Sequence, residues 1–94
     1  MTEKIFKTRI PLEAIDAQVR LELPKDSKIL TIQLQGTSPV VWYSFDVEKA
    51  EDREWRTIAV VGTGLEFESG NWRYISTVLV QAGYLVLHFY EVLG

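Results

Sequence analysis

Apolar and polar residues alternate one for one along most of this chain, in short blocks closed by turn residues. That period of two is the side-chain spacing of a half-buried β-strand. From Ala17 to Leu23, Val19, Leu21 and Leu23 share one face, while Gln18, Arg20 and Glu22 share the other. Pro24-Lys25-Asp26-Ser27 ends the block, because Pro24 cannot donate to a ladder and Asp26 and Ser27 favour turns. Lys28 to Gln35 repeats the pattern with Leu30, Ile32 and Leu34 inward, before the turn Gly36-Thr37-Ser38-Pro39. Val40 to Asp46 is a further strand in which Trp42 and Tyr43 point to opposite faces, so one of them leaves the core.

The acidic stretch Asp46 to Glu54 reads as a solvated loop with a helical turn over Val47 to Asp52. Trp55 to Gly62 resumes the sheet, Leu65 to Phe67 reads as a short strand, and Glu68-Ser69-Gly70-Asn71 as a polar turn. Trp72 to Val80 and Tyr84 to Val92 flank Gln81-Ala82-Gly83, a three-residue loop with glycine last that suits a bulged hairpin. Pro11 to Asp16 is the other place for a helical turn, with Pro11 at its first position. With Lys4 to Ile10 the total is about seven strands. The expected fold is a mostly β, small antiparallel sandwich or partly open barrel with at most one short helix. Val19, Leu21, Leu30, Ile32, Leu34, Val78 and Leu87 are its expected core.

A chain of 94 residues makes one domain, 1–94. Its 47% hydrophobic and 24% charged residues are the balance of a folded globular chain rather than a disordered one. A domain this small buries only about two-thirds of its unfolded surface. Without cysteine it has neither disulfides nor thiolate metal sites, which fits a reducing cytoplasm and leaves homo-oligomerisation as the expected source of extra burial. Charged residues interrupt the first ten positions, so no export signal is read there. No apolar run approaches the ~20 residues of a membrane helix, and no membrane partner is expected. A net charge of -3 argues against long nucleic acid, which requires a basic surface, and leaves room for a small anion in a local basic pocket.

Residues for catalysis are sparse. His88 is the single histidine, mid-strand, with no serine nominated as its partner, and no histidine pair exists to hold a metal. Asp46, Glu48, Glu51, Asp52 and Glu54 lack the ligand spacing and internal glycine of a calcium loop. Gly62-Thr63-Gly64 follows a strand and offers backbone N–H groups to a phosphate or a base edge, though no Gly-Lys-Ser/Thr makes it a P-loop. A plain tight turn or bulge is the favoured reading of so short an element. Three tryptophans and four tyrosines exceed what one small core hides, and surplus aromatics mark stacking sites and interfaces. Trp55-Arg56 and Trp72-Arg73-Tyr74 set arginine beside aromatics, the combination that stacks a base and forks a phosphate.

The order of these elements resembles a family of short, largely uncharacterised proteins of phage and prophage genomes. The resemblance rests on Leu23-Pro24, Ile29-Leu30, Gln33-Leu34-Gln35, Pro39, Val41-Trp42, Gly62-Thr63-Gly64, Tyr74-Ile75-Ser76-Thr77 and His88-Phe89-Tyr90-Glu91, nearly the whole chain. Ser76 stands where that pattern has glycine, and the acidic loop after Asp46 departs from it too. The resemblance implies a phage-encoded accessory protein acting in the cytoplasm of the bacterial host. By analogy with anti-defence sponges, it would sequester a nucleotide signal of immune systems such as the CBASS, Thoeris and Hailong types.

The leading expectation is therefore a homo-oligomer that binds a small, purine-containing (cyclic) nucleotide in a pocket at or near a subunit interface, without cleaving it and without a cofactor. Trp42, Trp72 and Tyr74 would stack, Arg56 and Arg73 would hold phosphate, and Thr63 with the Gly62 and Gly64 backbone would bond base or phosphate. Gln35 or His88 would read a base edge. The rivals are a phage structural or protein-binding module with no nucleotide ligand, and a hydrolase using the acidic cluster and a metal.

Overall fold

The computed structural model describes residues 1–11 and 18–94. Seven strands form: β1 (Glu3–Arg9), β2 (Gln18–Pro24), β3 (Lys28–Gln35), β4 (Ser38–Asp46), β5 (Arg53–Gly62), β6 (Trp72–Val80) and β7 (Leu85–Val92). They pair antiparallel into a three-stranded sheet, β1-β4-β3, and a four-stranded sheet, β2-β5-β7-β6. This is the small β-sandwich that the alternating pattern predicts, with no closed barrel. Short 3₁₀ turns at Val47–Lys49 and Gln81–Gly83 are the helical elements among the described residues.

The inward rows of both sheets meet in one core. Leu21 and Leu23 of β2, Ile58 and Val60 of β5, Leu87 and Phe89 of β7 and Val78 and Val80 of β6 pack against Ile32, Val41, Tyr43 and Phe45. Most of these residues are β-branched or aromatic, the types that fit a pleated, half-buried surface. Tyr43 is the aromatic that goes in; Trp42 stays on the outer face beneath the Lys7 ammonium, 5.3 Å from its ring.

Two expected core residues are corrected. Leu30 is 42% and Leu34 36% exposed. A register shift between Ile29 and Thr31 leaves Leu30 without a partner on β4, so Ile29 packs against the core in its place. A bulge of one residue reverses the alternation upstream of it. Leu34 keeps the inward parity of Ile32 but lies at the end of β3, beyond full cover. Val19 is only partly buried, while Leu21, Ile32, Val78 and Leu87 are buried as expected. Leu65 to Phe67 is not a strand; it belongs to a loop spanning 63–71. The turn expected over Pro11 to Asp16 lies, past Pro11, outside the described residues.

The acidic stretch is tied down rather than loose. Asp46 accepts a hydrogen bond from the Glu48 amide at 3.0 Å, capping the 3₁₀ turn, and Glu54 accepts one from the Asp26 amide at 2.7 Å. Lys49 donates to Asp26 at 2.8 Å, and this bond holds the Asp26 carboxyl below its usual range. At one side the sheets are joined without a ladder. There the Ile32 amide of β3 donates to Ser76 Oγ of β6 at 2.9 Å.

Candidate functional site: the outer face of the four-stranded sheet

The register of the larger sheet sorts its outward side chains into rows. Gln18, Ala59, Tyr90 and Tyr74 lie side by side across β2, β5, β7 and β6. Val61, His88 and Thr77 form the next row, and Arg20, Thr57, Val92 and Trp72 the row on the other side. Ala59 and Val61 are buried although they face away from the sandwich core. Phe67, from the 63–71 loop, shares cavities with both of them.

The loop leaves β5 through a tight turn. The Thr63 amide donates to Val86 O at 3.1 Å and the Leu65 amide to Gly62 O at 3.3 Å. Gly64 takes φ +87°, a backbone conformation natural only to glycine. The chain then carries Phe67 back over the sheet, where its ring stacks on Trp72 at 5.6 Å with planes 12° apart. Tyr90 lies 5.9 Å from Phe67 and 5.6 Å from Trp72, and Tyr74 meets Tyr90 edge-on at 5.6 Å. Four rings thus form one outward aromatic cluster.

Beside it runs a chain of hydrogen bonds. Tyr74 OH lies 2.6 Å from Thr77 Oγ1, which lies 3.0 Å from His88 Nδ1. His88 Nε2 is 2.6 Å from Thr63 Oγ1, which is 3.4 Å from Val86 O. With a neutral imidazole every contact is used when Tyr74 donates to Thr77, Thr77 to Nδ1, Nε2–H to Thr63, and Thr63 to the carbonyl. His88 is thus held by two threonines, one from the loop turn and one from β6.

Phe67 separates two cavities. One, of about 260 Å³, is lined by Gln18, Ala59, Val61, Phe67, Trp72 and the two loop glutamates, Glu66 and Glu68. The other, of about 230 Å³, is lined by the Gly62–Gly64 turn, Phe67, His88 and Tyr90. Each falls below the roughly 300–1,000 Å³ of pockets for drug-sized ligands, so each suits a single ring system.

Six of the ten residues singled out from the sequence converge here: Gly62, Thr63, Gly64, Trp72, Tyr74 and His88. The other four do not. Gln35 and Trp42 belong to the other sheet, where Lys7 donates to Gln35 Oε1 at 2.7 Å and covers Trp42. Arg56 lies opposite Leu21 on the inward side of β5. Its Nε and Nη2 grip Glu91 at 2.5 and 3.0 Å, and its Nη1 donates to Ser27 O at 2.7 Å. The bond to Glu91 raises the Arg56 pKa above its ordinary value. Arg73 also points inward, with Nη2 on the same carboxylate at 2.6 Å. Both arginines face a buried glutamate, on the opposite side of the sheet from the stacked rings.

Phe67, Thr77 and Tyr90 are site residues that the sequence reading missed. Tyr90 was within reach, because it is two residues from His88 and must share its face. Thr77 was not. A register shift between Tyr74 and Ser76 puts Tyr74 and Thr77 on one face, where strict alternation pairs Tyr74 with Ser76. Among the described residues no group of three aspartate, glutamate or histidine side chains is placed to hold a metal ion.

A family model matches residues 1–93 of the chain, and its description is a domain of unknown function. No curated protein and no solved structure matches.

Proposed function

We propose, for a chain that belongs to the DUF7352 family and takes no activity from that membership, that it is a binding module for a planar, hydrogen-bonding ligand. The site is the outer face of the β2-β5-β7-β6 sheet under the 63–71 loop. The observation that carries this reading is the juxtaposition of the Phe67–Trp72–Tyr90 rings with the Thr63–His88–Thr77–Tyr74 chain. Aromatic faces hold a base by stacking regardless of its identity, and fixed hydroxyl and imidazole groups then discriminate between ring edges.

In its fuller form the ligand is a purine nucleotide immune signal, held uncleaved by a phage-encoded protein in the host cytoplasm. The family resemblance and the aromatic cluster support that form; the arginines do not, since both are turned toward Glu91. Glu66 and Glu68 beside the larger cavity would repel phosphates there, so a bound nucleotide inserts its base and leaves its phosphates in solvent. The rival reading, a protein-binding accessory module, draws on Leu79 and Tyr84, which stand exposed at the β6–β7 hairpin.

The deciding experiment incubates the purified protein with a panel of cyclic and linear nucleotides, removes the unbound fraction, heats the protein and identifies what is released. Intact purine nucleotide is the expected result. Altered nucleotide would replace the binding module by an enzyme, and no retention of any member would leave the protein-binding reading.

A further inference from the structure

The first strand offers a second site, independent of the aromatic face. β1 is the edge of the three-stranded sheet, and among the described residues no strand pairs with its outer side. Edges are usually guarded by charge, yet two central side chains of this one are large, apolar and exposed, Ile5 at 61% and Phe6 at 51%. Its two lysines do not guard it. The Lys4 ammonium folds over the Phe6 ring at 5.9 Å, and Lys7 is drawn over its own sheet onto Trp42 and Gln35.

The hydrogen-bond phase of β1 decides what can add to it. The Val47 amide donates to Thr2 O and the Ile10 amide to Pro39 O, so even-numbered residues bond toward β4. The N–H and C=O groups of Glu3, Ile5, Lys7 and Arg9 therefore face the open edge. For a second β1 running antiparallel, these odd-numbered residues must oppose one another. The register centred on Phe6 does this over the whole strand. It sets Glu3 against Arg9 of the other copy, Ile5 against Lys7, Lys4 against Thr8, and Phe6 against Phe6 at a close, non-bonded position. Sliding by two residues one way brings Lys7 against Lys7. Sliding the other way carries Arg9 past the start of the strand, opposite Met1.

We propose that β1 is a self-complementary docking edge, through which two copies of this chain join their three-stranded sheets into one six-stranded sheet about a two-fold axis. Each copy supplies and receives the same contacts, as a closed two-fold interface requires. The pairing buries Phe6 and gives the odd-numbered amides their partners.

Ile5→Pro tests the ladder selectively, because the Ile5 amide faces the open edge and its loss leaves the β1–β4 bonds intact. Sedimentation at high micromolar concentration should find the parent as a dimer and Ile5→Pro as a folded monomer. Glu3→Arg should raise the dimer dissociation constant by about tenfold, since two symmetry-related pairs turn from attraction to repulsion. Glu3→Arg with Arg9→Glu should restore it. A monomeric parent, or a dimer that Glu3→Arg does not weaken, would overturn the proposal. If Ile5→Pro unfolds, the charge exchange alone decides.

Discussion

Glu91, 2% exposed on the inner face of β7, holds Arg56 through both of its carboxylate oxygens and Arg73 through one. A buried charge is tolerable only while it is paired and hydrogen-bonded, so this trio is a structural unit before it is anything else. Arg56→Met should destabilise the fold by about 3–5 kcal/mol, because it strips Glu91 of its two-point partner. Arg56→Met with Glu91→Leu should recover most of that loss, since no buried charge is left unpaired and the remaining Arg73 side chain is 55% exposed to solvent. Urea titrations of the parent, the single and the double variant measure both effects. Equal stability of the parent and Arg56→Met would show that the ion pair contributes nothing.

Ser76 joins the two sheets where they share no ladder. Its hydroxyl accepts from the Ile32 amide at 2.9 Å and lies 3.1 Å from Thr31 Oγ1. Ser76→Ala leaves a buried amide without an acceptor, for a loss of about 1–3 kcal/mol. Hydrogen exchange should speed most at Ile32, and a uniform change across all strands would contradict this role.

Much of the fold was legible because each strand carries a buried and an open face, and the period of two then names both. Where the chain inserts an extra residue, that inference inverts: the bulge near Leu30 moved Ile29 inward, and the one near Ile75 moved Thr77 to the face of Tyr74. No local pattern announces a bulge. The site was half legible for a related reason. Aromatics and glycines betray themselves by type, whereas the fate of Arg56 and Arg73 depended on a glutamate distant in sequence that the register sets opposite Arg73 and, across Ile58, diagonal to Arg56. Ser76 illustrates the reverse case, a departure from the expected glycine whose role is a contact between sheets.

The hairpin between β6 and β7 stores backbone strain. Gln81 and Ala82 have φ of 51° and 56°, ahead of Gly83 at 88°. Left-handed backbone crowds the Cβ of any residue but glycine. Ala82→Gly should therefore stabilise the protein by about 0.5–1 kcal/mol, the gain from relieved strain exceeding the added freedom of the unfolded chain. A higher melting temperature with unchanged ligand binding is the expected outcome; a lower one would mean that the Ala82 methyl contributes packing of greater value.

Phe67 and Trp72 stack on each other, yet they should respond differently to removal. Phe67 stands on the 63–71 loop and is half exposed, whereas Trp72 begins β6 and touches Phe67 and Tyr90 together. Phe67→Ala removes a ring from the wall between the two cavities while leaving every strand paired. If a base stacks there, its affinity should fall by about 1–3 kcal/mol with little change in melting temperature. Trp72→Ala should lower both, because the same ring supports the loop and the Tyr90 side chain. Arg73→Ala, on the opposite face, should leave base preference unaltered. Calorimetric titration of the retained nucleotide beside melting curves separates these outcomes. A Phe67→Ala protein that melts like the parent and binds as tightly would remove the aromatic cluster from the binding site.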